Sequence, residues 1–463
     1  VALDHLGKLA HIRGLRWHYW DGARWAPDRG ETKRAVLATA RRIRADAKKM
    51  PNSSDFEKKM RAARFKSAEG CESAAKIEGI LKIAATLPGI RMLEADADPW
   101  SLNVANGTLD LRTLTLRPHD PANAFTKVTR AAYDPTATAS AWTAFIMQML
   151  PDPEVRQFFQ KLAGLALVGQ ALEHIFPVAP GTGRNGKGVC YGRLMHVLGD
   201  YGVEANAGLF VASKSDAAGA NPALMSLRGA RLVVLSETEE KLRLAAALMK
   251  RLTGGDAIRA RELYQPEVTF PASWTFLLVT NHLPKLPADD PAVWERVRVI
   301  PFSVYIAEQD RDPLLGEKLD AELDGILMWM VEGWRLYQAE GLAQPAGVTA
   351  ATTAYADSQN DVLRFIEDRC VEGVVGNTTT VLHNSYLEWC AAENIHTAHH
   401  LGARKFGSAL DALGFTAKKT NVGMVRAGLG LTSSDQSQVP SGPISLPPEI
   451  QQQIADGSID SSD

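Results

Sequence analysis

The first part of the chain shows two patterns of apolar and polar residues. Residues 31–50, and the segment after the break at 51–54, carry apolar residues at helical spacing, which predicts two helices. Residues 95–140 alternate apolar and polar positions around the turn pair Asn106-Gly107. That alternation predicts strands joined by a hairpin.

Buried strands alternate with helices in the centre of the chain. A helical stretch at 141–172 comes first, and apolar strand candidates follow at 231–237, 274–281 and 297–302. This alternation favours a three-layer α/β core. Another strand candidate, before residue 181, contains Pro177, which cannot donate to a central ladder, so we expect that strand to start after it or to end near it.

The C-terminal third begins with a helical stretch at 313–345. Residues 361–430 then form a separate compact segment, with helices predicted at 361–370, 383–393 and 402–413 and a ribbon after them. Helices followed by a ribbon are typical of a winged-helix-like domain. The tail from Thr432 is polar and rich in Pro and Ser, so we expect it to be disordered.

Composition narrows the class of protein. The chain has 463 residues, which suggests two to four domains, and no apolar run long enough to span a membrane. The start lacks a signal-peptide core. The four cysteines form no C-x-x-C pair, which favours reduced thiols. We therefore expect a cytoplasmic protein (host cell cytoplasm if phage-encoded) without a membrane partner.

Charge is unevenly distributed although the net charge is only -2. Residues 1–66 hold 17 Lys and Arg against 7 Asp and Glu, whereas the last 32 residues hold five acids and no Lys or Arg. A basic leading segment fits a polyanionic partner, and it equally fits a solvated helix face. Both interpretations remain open.

The segment "GTGRNGKG" nearly matches a phosphate-binding loop, G-x-x-x-x-G-K-[ST]. In such loops backbone N–H groups at a helix N-terminus bind phosphate oxygens, and the lysine bridges the β and γ phosphates. Gly188 replaces the Ser or Thr whose hydroxyl holds magnesium. The candidate nucleotide-binding residues are Gly181, Thr182, Gly183, Arg184, Asn185, Gly186, Lys187 and Gly188.

Three further parts of an ATPase follow in order along the chain. Glu237 ends the strand candidate "RLVVLSE" and could hold the metal and polarise water, with Glu239 and Glu240 as weaker alternatives. Asn281 ends "TFLLVTN" and could sense the γ-phosphate, although a turn-forming Asn is also possible there. Arg296, with Arg298 as a second candidate, begins another strand, and a guanidinium there could act as an arginine finger.

These motifs, together with "LMKRLTGGDAIRARELY" and "LLVTNHLPKL", resemble those of superfamily 3 helicases. The resemblance is to the phage and plasmid primase-helicase C-terminal family, which includes the poxvirus primase-helicase. It covers residues 95–305 well and the flanks loosely. It implies a P-loop (AAA+-like) core, and a hexameric ring that uses ATP and Mg²⁺ to translocate on single-stranded and forked DNA during replication.

The resemblance also assigns roles to residues. It makes Lys187 the central phosphate contact, Glu237 the metal and water ligand, Asn281 the sensor, and Arg296 a finger that reaches a neighbouring subunit. Gly188 departs from the family pattern. Magnesium would then depend on Glu237, water and phosphate oxygens, so turnover is either slowed or lost.

Candidate DNA contacts lie in two places. The segment 248–270 matches the part of the family that lines the central channel, and cations beside an aromatic residue suit single-strand binding. In the C-terminal segment, a candidate recognition helix and a basic ribbon suit duplex or junction contact. A solvated charged surface is the alternative for each. The candidates are Lys250, Arg251, Arg259, Arg261 and Tyr264, then Arg404, Lys405, Lys418, Lys419 and Arg426.

Two clusters are set aside. The Cys and His residues between Cys370 and His400 match no zinc spacing, and the pair Asp96 and Asp98 lacks a second carboxylate in context.

A catalytic primase domain is otherwise absent, so we expect a helicase-only protein or the later part of a longer chain that has a primase domain or partner. The expected segments are 1–94 (basic, mainly helical), 95–145 (mixed α/β), 146–310 (ATPase), 311–360 (helical linker), 361–431 (winged-helix-like) and 432–463 (tail).

Three functions are compatible with these motifs. The favoured one is an ATP-driven replicative DNA helicase, because Glu237, Asn281 and Arg296 are all retained. The second is a nucleotide-binding remodelling or loading factor with weak or no hydrolysis, in which Gly188 has ended turnover. The third is a DNA-binding scaffold that uses only the basic N-terminal region and the winged helix.

Overall fold

The computed structural model describes residues 3–181, 183–211, 221–236, 243–263, 267–373, 376–393, 395, 397, 400–420 and 423–432. The chain divides into two compact units, Val1–Tyr355 and Ala356–Asp463. Over the described residues, every helix is too short or too polar to cross a membrane.

The first part of unit 1 combines a small sheet with three helices. Its elements are β1 Leu9–Ile12, β2 Arg16–Trp20, β3 Trp25–Pro27, α1 Glu31–Lys49, α2 Asp55–Gly70, α3 Ala74–Ala84 and β4 Arg91–Met92. The sheet order is β3-β2-β1-β4, with β4 parallel to β1. The aromatic opening of the sequence, Trp17 to Trp20, therefore lies in a strand, as Trp and Tyr favour.

A three-stranded antiparallel sheet comes next. Its strands are β5 Ser101–Val104, β6 Gly107–Asp110 and β7 Thr115–Arg117. The expected hairpin is confirmed, but its loop is Ala105-Asn106, and Gly107 already pairs with Val104. Gly107 has φ 157°, and a Cβ there would overlap the Arg117 carbonyl, so a glycine is required at the start of β6.

A five-stranded parallel sheet forms the centre of unit 1, in the order β14-β8-β13-β10-β9. This confirms a mixed α/β fold. The elements of this region are α4 Ser140–Met149, α5 Pro153–Leu165, β8 Phe176–Pro180, α6 Lys187–Leu198, β9 Gly202–Asn206, α7 Pro222–Ser226, β10 Leu232–Ser236, α8 Ala246–Thr253, β11 Ile258–Ala260, β12 Val268–Phe270, β13 Thr275–Thr280, α9 Pro291–Trp294 and β14 Val297–Val299.

Apolar side chains cover both faces of this sheet. In β10, Leu232 and Val234 join one core with α4, α5 and α6, whereas Val233 and Leu235 join a second core with α8 and the β11–β12 hairpin. Strands buried on both faces form continuous apolar runs, as the sequence of β10 does. The layering agrees with the three-layer arrangement that the sequence pattern predicts.

Pro177 lies inside β8, so the expectation that the strand starts after it or ends near it is wrong. The Phe176 N–H donates to Arg296 at 2.7 Å, and Val178 accepts from Ile300 at 2.8 Å, so both residues bond toward β14. Pro177 therefore faces β13, whose pairing begins only at Val178. The missing N–H falls just ahead of that ladder, where no hydrogen bond is lost.

Helices α10 Leu315–Asp320 and α11 Leu323–Glu340 follow in unit 1, and α12 Ala346–Gln359 begins in unit 1 and ends four residues past its last residue, Tyr355. Helices α11 and α5 pack closely because each has a glycine at the crossing. A Cβ on Gly164 would overlap the Trp334 backbone, and one on Gly333 would overlap the Gln160 carbonyl. The Trp334 indole N–H donates to the Leu111 carbonyl at 2.8 Å, which ties α11 to the antiparallel sheet.

In its described residues, unit 2 has helices α13 to α15 and two short antiparallel pairs of strands. Its elements are α13 Asp361–Arg369, β15 Cys370–Glu372, α14 Thr379–Ala392, α15 Ala403–Ala412, β16 Ala417–Thr420, β17 Gly423–Arg426 and β18 Leu429–Leu431. Strand β15 pairs with β18, and β16 with β17. The aromatic side chains of Phe365, Tyr386, Trp389 and Phe406 form its core. The expected disordered tail lies outside the described residues, apart from Thr432.

Candidate functional site

The carboxyl ends of the central strands meet at one edge of the parallel sheet. In the register of the ladder, Pro180 of β8 lies beside Thr280 of β13, and Ser236 of β10 lies beside Val279. The Gly-rich loop follows β8 directly, and α6 follows the loop. In open parallel sheets this edge is where ligands bind.

The Gly-rich loop adopts a backbone shape that its sequence allows. Gly183 has φ 91° and Gly186 φ 73°, while Arg184 takes φ 55°. Asn185 fixes the loop from inside, because its side-chain amide donates to the Phe302 carbonyl at 3.0 Å. A Cβ on Gly181 would overlap the Asn185 amide, so the start of the loop has no room for a side chain.

Lys187 begins α6 and is 7% exposed. Its ammonium group donates to the Gly181 carbonyl, to the Thr280 carbonyl at 3.0 Å and to Asn281 Oδ1 at 2.8 Å. An ammonium has three protons, so these bonds use its donor capacity. Burial lowers the pKa of the Lys187 ammonium. The structure thus brings two predicted site residues, Lys187 and Asn281, into direct contact.

Gly188 offers open space beside the loop. An added Cβ would meet nothing within 4 Å, so a serine fits there, although the native residue supplies no hydroxyl. Gly186 is the opposite case, since a Cβ there would overlap the Met149 sulfur and lie 3.1 Å from the Phe145 ring. Cys190, one turn into α6, is fully buried, which agrees with core packing.

Two clefts border the loop. One of about 800 Å³ lies on the side of β13 and is lined by Gly181, Asn281, Lys285, Phe302 and Tyr305, among others. The other, of about 730 Å³, runs along α4 and α6. Its lining includes Phe145, Arg184, Gly188, Gly192, Arg193 and His196.

Lys285 and Tyr305 were not predicted from the sequence. Lys285 lies four residues after Asn281 in the segment "LLVTNHLPKL", and the resemblance of that segment was the available signal. Tyr305 lies in a segment without periodic pattern, and it accepts a hydrogen bond from Arg184 at 3.3 Å. That bond lowers the pKa of the Tyr305 phenol.

Several predicted residues lie outside the described residues. They are Thr182, Glu237, Glu239, Glu240 and Tyr264. For Glu237 the structure describes the residue before it, Ser236, which ends β10 beside Val279. The predicted metal ligand therefore directly follows a strand end at the same edge as Lys187.

Arg296 directly precedes β14, at the amino end of the strands and away from Lys187, whereas Arg298 is the middle residue of β14. Strand β14 runs parallel to β8, with Val297 beside Phe176 and Arg298 beside Pro177. Pro180, which leads into the loop, is three residues further along β8, or about 10 Å at the usual rise of a strand. The Arg296 side chain donates to the Ala292 carbonyl at 2.7 Å, and its buried Nε has no partner among the described residues.

The hairpin β11–β12 stands between β10 and β13 in the sequence and forms a separate two-stranded sheet. Arg259 is exposed on it and lies 3.8 Å from Glu267. Arg261 is exposed just past β11. Lys250 of α8, by contrast, pairs with both oxygens of Asp290 at 2.7 and 2.8 Å. Lys250 thus forms a close, partly exposed ion pair, whereas the contact of Arg259 is longer and more exposed.

In unit 2 the predicted cations divide into two kinds. Arg404 and Lys405 begin α15 and are exposed, and so are Lys418 and Lys419 on β16. Arg426 is 4% exposed and bonds to Asp411, to the Gly407 carbonyl at 3.0 Å and to the Phe415 carbonyl at 2.8 Å. The interpretation of Arg426 as a surface cation of the ribbon is therefore wrong.

The clusters set aside have structural partners. Asp96 accepts from the Thr126 backbone and hydroxyl, and Asp98 accepts from the Trp100 N–H and the Ser101 hydroxyl. The His383 ring donates from Nε2 to the Leu401 carbonyl at 2.8 Å. Within the part of the chain that the structure describes, no group of three or more His, Cys, Asp or Glu side chains could hold a metal ion.

These features define a mixed α/β protein with a Gly-rich loop, a buried lysine and a polar amide at one edge of a parallel sheet. Two family models match the flanks of the chain. Residues 2–151 match the model described as "D5 N terminal like", and residues 357–430 match "Poxvirus D5 protein-like". The matches support a relationship to D5-like primase-helicases.

Curated relatives come from large DNA viruses. Putative helicase L207/L206 of Acanthamoeba polyphaga mimivirus is 28% identical over 64% of this chain and 33% of the relative. Putative helicase 022R of Frog virus 3 (isolate Goorha) is 28% identical over 55% of this chain and 28% of the relative. Putative primase C962R of African swine fever virus (strain Badajoz 1971 Vero-adapted) is 25% identical over 66% of this chain and 34% of the relative. The chain spans about a third of the length of these relatives.

A solved structure of the C-terminal region of NrS-1 also aligns with this chain. The identity is 11%, the alignment covers 77% of this chain and 90% of that one, and the TM-score is 0.43.

Proposed function

We propose that this chain is an ATP-hydrolysing DNA helicase of the type used in phage and plasmid replication, acting as a ring on single-stranded DNA. The observation that carries the proposal is the hydrogen bond of Lys187 to Asn281 at the end of the Gly-rich loop. The viral relatives named putative helicase or primase support a replicative role.

The loop suits a triphosphate. It leads into the N-terminus of α6, where backbone N–H groups attract anions. Among the described residues Lys187 contacts only neutral oxygens, so a phosphate oxygen could replace one of them. Asn281, released by that exchange, would orient the attacking water.

Magnesium would be held mainly by Glu237 and by water. The loop offers no hydroxyl at position 188, and Mg²⁺ keeps several waters readily, so one protein carboxylate together with water and phosphate oxygens would hold the ion. Bound Mg²⁺ would neutralise charge on the β and γ phosphates. This assignment makes Glu237 more important than it would be beside a Ser or Thr.

The cleft along α6 suits the adenosine. Gly188 and Gly192 are four residues apart on one face of the helix, and a Cβ on either would meet nothing within 4 Å. Because neither glycine has a side chain, this face of α6 leaves room for a flat base to lie against the helix. Phe145 lines the same cleft. The other cleft, beside Asn281, would then face the γ-phosphate.

Arg296 would act on a neighbouring subunit. It lies at the amino end of the strands of its own sheet, away from Lys187, so it is poorly placed to serve the site of its own chain. An arginine supplied from a neighbour requires assembly, and a hexameric ring provides one finger for each site. Such a finger contributes about 10³–10⁵ in rate.

DNA would contact two surfaces. The exposed hairpin residues Arg259 and Arg261, with Tyr264, would hold single-stranded DNA in the channel of the ring. In unit 2 the three helices and the β16–β17 hairpin support a winged-helix-like domain, with Arg404, Lys405, Lys418 and Lys419 toward forked DNA. A primase domain or partner would supply primers.

A loading or remodelling factor with weak or no hydrolysis is the second candidate. The observation that favours it is Gly188, which removes a magnesium ligand from the loop. The open space at this position allows a direct test, since Gly188→Ser introduces the hydroxyl without a clash.

The experiment is DNA-stimulated ATP hydrolysis by the full chain. We expect hydrolysis in the native protein, its loss in Lys187→Ala and in Arg296→Ala, and partial recovery when the two variants are mixed. Gly188→Ser should hydrolyse ATP faster or need less Mg²⁺. If neither the native chain nor Gly188→Ser hydrolyses ATP while both bind it, the loading factor is the correct function.

A further inference from the structure

Helix α2 is almost unpacked on one side. It has 16 residues, of which Ala68 is buried, and a capping box between Ser54 and Glu57 fixes its start. A helix that is polar on most faces buries little of its own surface in the protein, so its side chains are accessible to solvent or to another molecule. Its open face is therefore a candidate interaction surface.

The open face of α2 mixes lysines with apolar side chains. Lys59 and Lys66 are seven residues apart, so they share one face, about 10 Å from each other along the axis. Phe56, 73% exposed, and Met60, 48% exposed, lie beside them. By helical spacing this face is opposite the buried Ala68.

Helix α1 presents a similar face. Its buried residues, which include Val36, Ala40 and Ala47, lie on one side. Arg41 and Lys48 are again seven residues apart and are exposed on the other side. We call Arg41, Lys48, Phe56, Lys59 and Lys66 the α1–α2 outer surface.

The cations of this surface have no acidic partner among the described residues. Four other exposed cations of the same helices form ion pairs, Lys33 with Glu78, Arg34 with Glu31, Arg42 with Asp4 and Lys58 with Asp55. Lys49 and Arg64 are exposed too and, like the cations of the α1–α2 outer surface, have no ion pair among the described residues. The exposed, unpaired positive charge of the two helices thus lies on the α1–α2 outer surface and on these two side chains.

We propose that the α1–α2 outer surface is an additional binding site for single-stranded nucleic acid, separate from the triphosphate site and from the β11–β12 hairpin. The four cations suit phosphates, and the exposed Phe56 ring suits stacking on a base, which is the combination that sequence-independent single-strand binding uses. A helix that binds a membrane surface presents a continuous apolar face instead. Here the lysines interrupt the apolar side chains.

The test compares two variants of the full chain with equal net charge. The first carries Arg41→Gln, Lys48→Gln, Lys59→Gln and Lys66→Gln. The control carries Lys33→Gln, Arg34→Gln, Arg42→Gln and Lys58→Gln, which removes four cations from the same helices that are already paired. Binding of a fluorescent oligothymidylate is measured by anisotropy over a range of salt, without nucleotide.

The first variant should bind more weakly, and the dependence of log affinity on log salt should fall by about 0.7 per lost contact, hence by about 3 in slope. The control should keep the native slope. Phe56→Ala should weaken binding roughly tenfold without changing the slope. Because these side chains are exposed, all variants should keep the native circular dichroism.

Two results would overturn the proposal. One is an equal slope in the first variant and the control, which would mean that net charge alone matters. The other is loss of binding to phosphatidylserine vesicles in the first variant with an unchanged oligothymidylate slope, which would assign the surface to anionic lipid.

Discussion

The ammonium of Lys187 donates a hydrogen bond of 2.8 Å to the side-chain oxygen of Asn281, across the ends of two neighbouring parallel strands. The two residues are far apart in sequence, and only the position of β8 beside β13 makes the contact possible. A buried lysine joined to an amide oxygen is a polar pair that a triphosphate can separate. This relationship leads to the first prediction.

Asn281→Ala should reduce the rate of ATP hydrolysis much more than it reduces nucleotide affinity. Lys187 retains the Gly181 and Thr280 carbonyls, so the loop should keep its shape. An oriented polar group in a transition state contributes roughly 10²-fold or more, so we expect a fall of that order in kcat. A fluorescent ATP analogue gives the affinity, and phosphate release gives the rate.

His282→Ala is the matched control, since His282 is the next residue and is also exposed at the cleft. It should leave kcat within a few-fold of the native value. A parallel loss of affinity and rate in Asn281→Ala would mean that the residue positions the loop rather than the reacting water.

Gly186→Ala and Gly188→Ala should have opposite effects on stability. At Gly186, φ is 73° and the added methyl would overlap Met149, so we expect a loss of about 1–3 kcal/mol from overpacking. At Gly188 the space is open and the residue is helical, so alanine should gain up to about 1 kcal/mol. Urea unfolding of unit 1, followed by tryptophan fluorescence, measures both.

In the central sheet the sequence predicted β10 and β13, which are apolar runs, and missed β9. Strand β9, Gly202–Asn206, is an edge strand with polar and half-buried residues, so it lacks the apolar signal. The order of the strands was also beyond the sequence, because parallel pairing joins distant segments. For the same reason the sequence identified Lys187 and Arg296 as candidates but did not predict that they lie at opposite ends of the strands of the central sheet.

Arg426→Met should destabilise unit 2, whereas Lys418→Met should not. Arg426 is buried and serves Asp411 and two backbone carbonyls, and each buried group left unpaired costs about 1–3 kcal/mol. Lys418 is exposed on the neighbouring strand. Thermal unfolding should therefore show a lower midpoint for Arg426→Met alone, and forked-DNA binding should fall in Lys418→Met without loss of stability. Equal midpoints in the two variants would contradict the assigned role of Arg426.

The sequence could not separate Arg426 from Lys418, because both lie on a ribbon with alternating positions. The deciding contacts come from Gly407, Asp411 and Phe415, around the end of α15. The sequence therefore located the Arg426 side chain correctly on the ribbon but wrongly assigned it to the ribbon's surface. In unit 1, Lys250 is likewise a predicted DNA contact whose ion pair with Asp290 the sequence does not reveal.

Lys250→Met tests whether Lys250 serves the fold or the DNA. The hydrogen bond from Lys250 lowers the pKa of the Asp290 carboxyl below its ordinary 3.8. A carboxyl whose pKa is lowered by folding stabilises the folded state at every pH above its ordinary, unfolded-state pKa. This stabilisation is lost as the pH falls through the lower, folded-state pKa. Lys250→Met should therefore cost about 0.5–1 kcal/mol at pH ~7, the range of a partly exposed ion pair, and almost nothing at pH ~2.

Urea unfolding at the two pH values measures that difference, and Arg259→Met is the control, since Arg259 lies 3.8 Å from Glu267 on a highly exposed hairpin. Arg259→Met should leave stability unchanged and reduce the salt dependence of single-strand binding by about 0.7 in slope. Lys250→Met should leave that slope as it is. A reduced slope in Lys250→Met with unchanged stability would show that Lys250 leaves Asp290 to bind phosphate, as the sequence alone predicts.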